Sequence, residues 1–101
     1  MNLDEIDSVD GVPIRLTDTQ WEHIVDDHPY MSGHYESILE TVSYPEFILR
    51  GQRGAKIAVL NVGRRKWLHV MYRELKQNDG FIITAFIDDT YDRNLIIWRR
   101  N

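Results

Sequence analysis

The run from Trp67 to Ile87, WLHVMYRELKQNDGFIITAFI, decides how the rest of the chain is read. Trp67 to Arg73 is dense in aromatic and β-branched residues, and Phe81 to Ile87 is apolar apart from Thr84. Runs of this kind fit a pleated surface that buries at least one face. Between them, Asn78-Asp79-Gly80 is a turn signal, with Gly80 expected to take the positive φ of a tight reversal. The stretch predicts a central β-hairpin.

Alternation sorts the side chains of that hairpin. In the first strand Leu68, Val70 and Tyr72 share one face, and Trp67, His69, Met71 and Arg73 share the other. In the second strand Phe81, Ile83, Ala85 and Ile87 make the purer apolar face, which leaves Ile82, Thr84 and Phe86 opposite. The expected core contribution is therefore Leu68, Val70, Tyr72, Phe81, Ile83 and Ala85, with His69, Arg73 and Thr84 looking outward.

Working upstream, Phe47 to Gly51 and Lys56 to Val62 read as two further strands, separated by the turn Gly51-Gln52-Arg53-Gly54 and closed by Gly63-Arg64-Arg65. Connections this short predict antiparallel neighbours in a meander. Before Pro45 the period becomes helical. Thr17-Asp18-Thr19-Gln20 matches a capping box, and Leu16 and Trp21 sit where a hydrophobic staple would place them. That helix runs to about His28, with Trp21, Ile24, Val25 and His28 on one stripe and His23, Asp26 and Asp27 on the other side. Ser32 is an N-cap candidate for a second helix, Tyr35 to Ser43, with Tyr35, Ile38, Leu39 and Val42 in its apolar stripe. Residues 1–13 read as an acidic arm and 14–101 as one domain, with Ile14 to Leu16 as a short extended lead-in. The closing run Asn94 to Arg100 reads either as a strand or as a docked tail. The fold class that follows is α+β, two N-terminal helices followed by an antiparallel sheet of four strands, or five if the closing run joins.

Size and composition bound the function. A chain of 101 residues with 43% hydrophobic and 28% charged residues is expected to fold as one globular unit. It has no cysteine, which excludes disulfides and thiolate chemistry. An acidic start and the lack of a long apolar run predict a cytoplasmic chain with no membrane partner. The net charge of −4 is unevenly placed: residues 1–49 sum to −10 and residues 50–76 to +7. A basic middle attracts an anion locally, while the acidic whole disfavours broad coating of nucleic acid.

Several chemistries drop out. Gly51-Gln52-Arg53-Gly54 has no following helix and no Walker pattern, and no Gly-x-Ser-x-Gly element is present. His23 and His28 lie about 140° apart round a helix, so they do not form a ligand pair, and no metal or cofactor is expected. What remains is a set of groups suited to phosphate. His28, at the C-terminal end of the first helix, is either a general acid or a capping histidine bonded to a carbonyl. On the expected open face, Arg73, Thr84 and His69 are neighbours, with Arg50 and Lys56 added from the outer strands. An arginine fork and a hydroxyl donate to phosphate oxygens, and a nearby histidine moves a proton.

Trp21-Glu22-His23-Ile24, His28-Pro29, Arg50-Gly51, Tyr72-Arg73-Glu74 and Asp79-Gly80-Phe81-Ile82-Ile83-Thr84-Ala85 together resemble the phage-associated barnase–EndoU–colicin–RelE-like nuclease group, over roughly residues 14–88. The resemblance implies two helices followed by a four-stranded antiparallel sheet, and metal-independent, toxin-like RNA cleavage by attack of the ribose 2′-hydroxyl. It carries over His28 as acid or base, Arg50 and Arg73 as phosphate contacts, Thr84 as a hydrogen-bond donor, and His23 as a further contact. RNA is then the expected partner, with a protein inhibitor or a second copy of the chain. The other reading is a non-catalytic interaction module of the same fold. Its contact surfaces would be the acidic N-terminal segment and Leu95-Ile96-Ile97-Trp98.

Overall fold

The computed structural model describes residues 2–101, and its centre is the expected hairpin, flanked on both sides by more sheet than the sequence suggested. Along the chain come β1 (Asn2–Asp7), β2 (Pro13–Thr17), α1 (Asp18–Asp27), α2 (Tyr35–Ser43), β3 (Phe47–Arg50), β4 (Lys56–Gly63), β5 (Lys66–Lys76), β6 (Asp79–Asp88) and β7 (Ile96–Arg99). The spatial order is β1-β2-β6-β5-β4-β3-β7. Neighbours are antiparallel except β2 and β6, which run parallel through Ile14–Gly80 and Arg15–Phe81.

The expectation of two N-terminal helices followed by a four- or five-stranded antiparallel sheet is therefore corrected to a seven-stranded mixed sheet. The added strands come from the N-terminus, where the acidic segment set apart as an arm supplies β1 and its turn; Met1 lies outside the described residues. The run NLDEID has no aromatic residue and Ile6 as its one β-branched residue, too little to announce a strand, and its charges suit a sheet edge. Pro13 stands at the first position of β2, where proline does no harm to a ladder. Behind it, Val12, Ile14 and Leu16 alternate into the core. The closing run resolves as β7, an edge strand paired antiparallel with β3.

The hairpin differs from the simple alternation in two places. Its turn is Gln77-Asn78, because Lys76 pairs with Asp79. Gly80 lies inside β6 with no positive φ. Its smallness serves close approach instead: a Cβ there would sit 2.5 Å from Ile14 Cδ1 and 2.7 Å from the Arg73 carbonyl oxygen. The second difference is a bulge. Met71 pairs with Thr84 but Tyr72 pairs with Ile82, so Ile83 is an extra residue in β6. The bulge changes the phase of the strand, and Ile82 joins Ala85 in the core where Phe81 and Ile83 were expected.

Both helices cover the face carrying Leu68, Val70 and Tyr72. Thr17 caps α1 by accepting from the Gln20 N–H at 3.1 Å, while the Gln20 side chain leaves the capping box and donates to the Ile83 carbonyl. Ile24 is buried, and His23, Asp26 and Asp27 are exposed, as the helical stripe required. Ser32 falls in a 3-10 turn, Pro29–Gly33, and α2 begins after His34 without a side-chain cap. Ile38 and Val42 of α2 are buried against the sheet. Among the described residues, no helix is long and apolar enough to cross a membrane.

Tyr72 is wholly buried, and its hydroxyl has no hydrogen-bond partner among the described residues. Removing an unpaired buried hydroxyl relieves a desolvation cost, so Tyr72→Phe should leave stability unchanged or raise it by about 1 kcal/mol. Gly80→Ala should lower it by roughly 1–3 kcal/mol, because neither the Ile14 side chain nor the Arg73 backbone has room to retreat. Urea denaturation midpoints check both.

Candidate functional site

The sheet face away from the helices is built in rungs. Phe47, Val59, His69 and Phe86 pair in sequence across β3, β4, β5 and β6, and Leu49, Ile57, Met71 and Thr84 form the adjacent rung. His69 is 5% exposed and stacks on Phe86, ring centroids 4.8 Å apart and planes 13° from parallel. Its Nδ1 lies 2.8 Å from the Trp67 carbonyl oxygen. A carbonyl only accepts, so Nδ1 carries the proton and the neutral ring keeps its free lone pair on Nε2. Burial drives the His69 pKa below the ordinary imidazole range, against the opposing influence of the Trp67 carbonyl and of Asp88.

His69 lines a groove of about 350 Å³ together with Leu49, Ile57, Phe86 and the segment that follows β6, namely Asp88, Thr90, Tyr91, Asp92 and Leu95. Ile57 and Leu95 also line an adjoining groove of about 580 Å³, whose other walls are Arg50, Gly51, Gln52 and Met71. The trough thus has a cationic residue at one end and carboxylates at the other, with His69 on its floor. Tyr91 holds the segment in place by stacking on Phe47 at 4.8 Å and meeting the edge of Trp67 at 4.7 Å. The sequence gives little notice of this wall: residues 88–93 are polar apart from Tyr91, and that lone tyrosine is the available signal.

A second imidazole reaches the same ring from the far side of β6. Beyond Phe81, β6 has no strand neighbour on its outer edge, because β2 pairs only at Gly80 and Phe81. Side chains cap that edge instead. Gln20 donates to the Ile83 carbonyl, and the Tyr30 hydroxyl accepts from the Ile87 N–H at 3.1 Å. His28, the residue that ends α1, has its ring 6.0 Å from Phe86 and its Nδ1 3.4 Å from the Tyr30 hydroxyl. His28 and His69 therefore both contact Phe86.

The remaining sequence-chosen residues divide. Arg73 and Thr84 are on the same face as His69, with Thr84 opposite Met71 and Arg73 opposite Phe81, yet neither lines the two grooves. Arg50 lines the larger one. His23 is exposed on the outer side of α1. Lys56 is corrected: it pairs with Tyr72, on the helix-bearing face, where it bonds Asp10 at 2.8 Å and also Glu74. Burial alone would lower its pKa, but the hydrogen bonds to Asp10 and Glu74 outweigh that and hold it above the ordinary lysine range. The bond to Lys56 in turn lowers Asp10. Ser8 completes the cluster by donating to Glu74 at 2.6 Å, which ties the β1–β2 turn to β5. Among the described residues, no group of three or more histidine or carboxylate side chains is placed to hold a metal ion. No protein-family model, curated protein or solved structure matches the chain.

The environment of His69 has a consequence for acid stability. Its folded pKa is depressed, so the unfolded chain takes up the proton first, and folding loses stability as pH falls below about 6.5 toward the folded pKa. In NMR titration the His69 ring signals should move at lower pH than free imidazole. Wild type should also lose stability relative to His69→Gln as the solution is acidified through that window.

Proposed function

We propose that the open-face trough is a metal-independent acid–base site for RNA cleavage, with His69 and His28 as its two proton-transfer groups. The observation that carries the reading is the pair of imidazoles in contact with one ring, Phe86, beside a groove that leads to Arg50. His69, neutral with Nε2 unprotonated, is the general base: it takes the proton of the ribose 2′-hydroxyl as that oxygen attacks phosphorus. His28 gives a proton to the departing 5′-oxygen as the P–O5′ bond breaks, which yields a 2′,3′-cyclic phosphate and a free 5′-hydroxyl. Arg50 is the charge partner for the phosphate oxygens, and the half-buried aromatic wall of Tyr91 and Trp67 offers a surface on which a base can stack. Arg73 and Thr84 serve as outlying contacts farther along the same face.

The roles differ from the sequence expectation in two respects: the buried His69 takes the base function with His28 assigned the acid, and Arg73 and Thr84 move from the reacting centre to its periphery. Purified protein in excess chelator should convert mixed single-stranded RNAs to fragments ending in cyclic phosphate. His69→Gln and His28→Gln should each reduce the rate by about 10²–10⁴-fold, the usual worth of a positioned acid or base. RNA that stays full-length under these conditions, or variants that cut at the wild-type rate, would remove this function.

A further inference from the structure

The two strands that end the sheet, β1 and β7, have no strand on their outer sides among the described residues and carry opposite charge. β1 bears Asp4, Glu5 and Asp7, all exposed; β7 ends in Arg99, followed by Arg100. Their relative direction follows from the pairing. Five of the six neighbouring pairs are antiparallel and one is parallel, so β1 and β7 run opposite ways. A second copy set beside the first in the same orientation brings its β1 antiparallel to β7, with its helices on the same side.

The charges match face by face in that arrangement. Ile6 pairs with Ile14 and packs against the core, so Glu5 and Asp7 lie on the face away from the helices. Arg99 pairs with Phe47 on that same face, its guanidinium 5.4 Å above the ring. On the helix side, Asp4 accepts from the Tyr35 hydroxyl at 2.9 Å, and Arg100 donates to the Tyr44 carbonyl at 3.3 Å, both partners belonging to α2 or its cap. Like edges do the reverse: β1 on β1 opposes carboxylates, and β7 on β7 opposes guanidinium groups. Both homotypic dimers are therefore disfavoured, and the heterotypic contact is favoured.

We propose that copies of this chain associate head to tail, β7 of one accepting β1 of the next, to extend the sheet across molecules. Such a contact uses different surfaces on its two sides and does not close on two copies, so it grows beyond a dimer. β7 has four residues and a bulge at Ile97, so each junction makes few ladder bonds and assembly depends on protein concentration. The proposal is independent of the nuclease reading.

The test is sedimentation or static light scattering across a concentration series at low and high salt. The weight-average mass should rise past that of a dimer at low salt and fall back as salt screens the edges. Arg99→Glu with Arg100→Glu makes both edges acidic, and Glu5→Lys with Asp7→Lys makes the β1 edge basic like β7. Each double variant alone should stay a monomer, and an equal mixture of the two should assemble again, because every junction in the mixture pairs unlike charges. A wild-type chain that is monomeric at every concentration, a discrete dimer that both variants retain, or a mixture that fails to assemble overturns the proposal. Binding of a free acidic peptide at β7 by a chain that never self-associates overturns it as well, by giving that edge another occupant.

Discussion

The closeness of Ile14 to Gly80 governs the arrangement of the other elements. β2 joins the hairpin through only two residue pairs, and one of them is this contact, where any side chain on residue 80 would overlap Ile14 or the Arg73 backbone. Because β2 is seated there, Thr17 arrives where it can cap α1, and Gln20 arrives within reach of the Ile83 carbonyl. The helix then ends at His28 beside Phe86. A missing Cβ thus fixes a strand, the strand fixes a helix, and the helix delivers an imidazole to the open face.

The cluster of Ser8, Asp10, Lys56 and Glu74 secures the same end of the sheet, since Glu74 is the ladder partner of Gly80. Lys56 is 29% and Glu74 14% exposed at the side chain, so the pair is partly shielded, and Ser8 satisfies the second carboxylate oxygen. Ser8 and Asp10 come from the β1–β2 turn, Lys56 from β4 and Glu74 from β5, and together they join that turn to the two strands. The uneven charge seen along the sequence is in part met by this local neutralisation: Asp10 of the acidic first segment meets Lys56 of the basic middle, which also holds Glu74.

The helices, the four central strands and the outward direction of His69 and Thr84 were legible because period and burial agree there. The sheet edges were not. NLDEID has little strand propensity of its own, with Ile6 its one β-branched residue, and becomes a strand because β2 offers it a ladder. Phe81, Ile82 and Ile83 were assigned to faces by strict alternation, and a bulge is invisible to alternation because each of the three is equally apolar. Lys56 was misplaced for a related reason. Position in a strand tells which residues share a face, but not that a half-buried lysine finds two carboxylates waiting on the helix side. Among the site residues, His69 came from the right face, whereas Arg50 pairs with Lys56 in the ladder and meets the trough only at the wall of its larger groove. Tyr91, Asp88 and Asp92 were missed because a chain segment folding back over a sheet leaves no periodic signal.

The extra residue at Ile83 divides β6 into two lengths that obey separate rules. Before it, Gly80 and Ile82 face the helices; after it, Ala85 and Ile87 do, and Thr84 and Phe86 are turned to the open face. The half that anchors β2 and the half that carries the aromatic ring of the site are joined by a phase break rather than by one continuous pleat. An unbroken pleat that turned Ile82 to the helices would turn Thr84 and Phe86 there as well; the extra residue reverses them. The ring that His28 and His69 both meet therefore owes its outward direction to that one inserted residue.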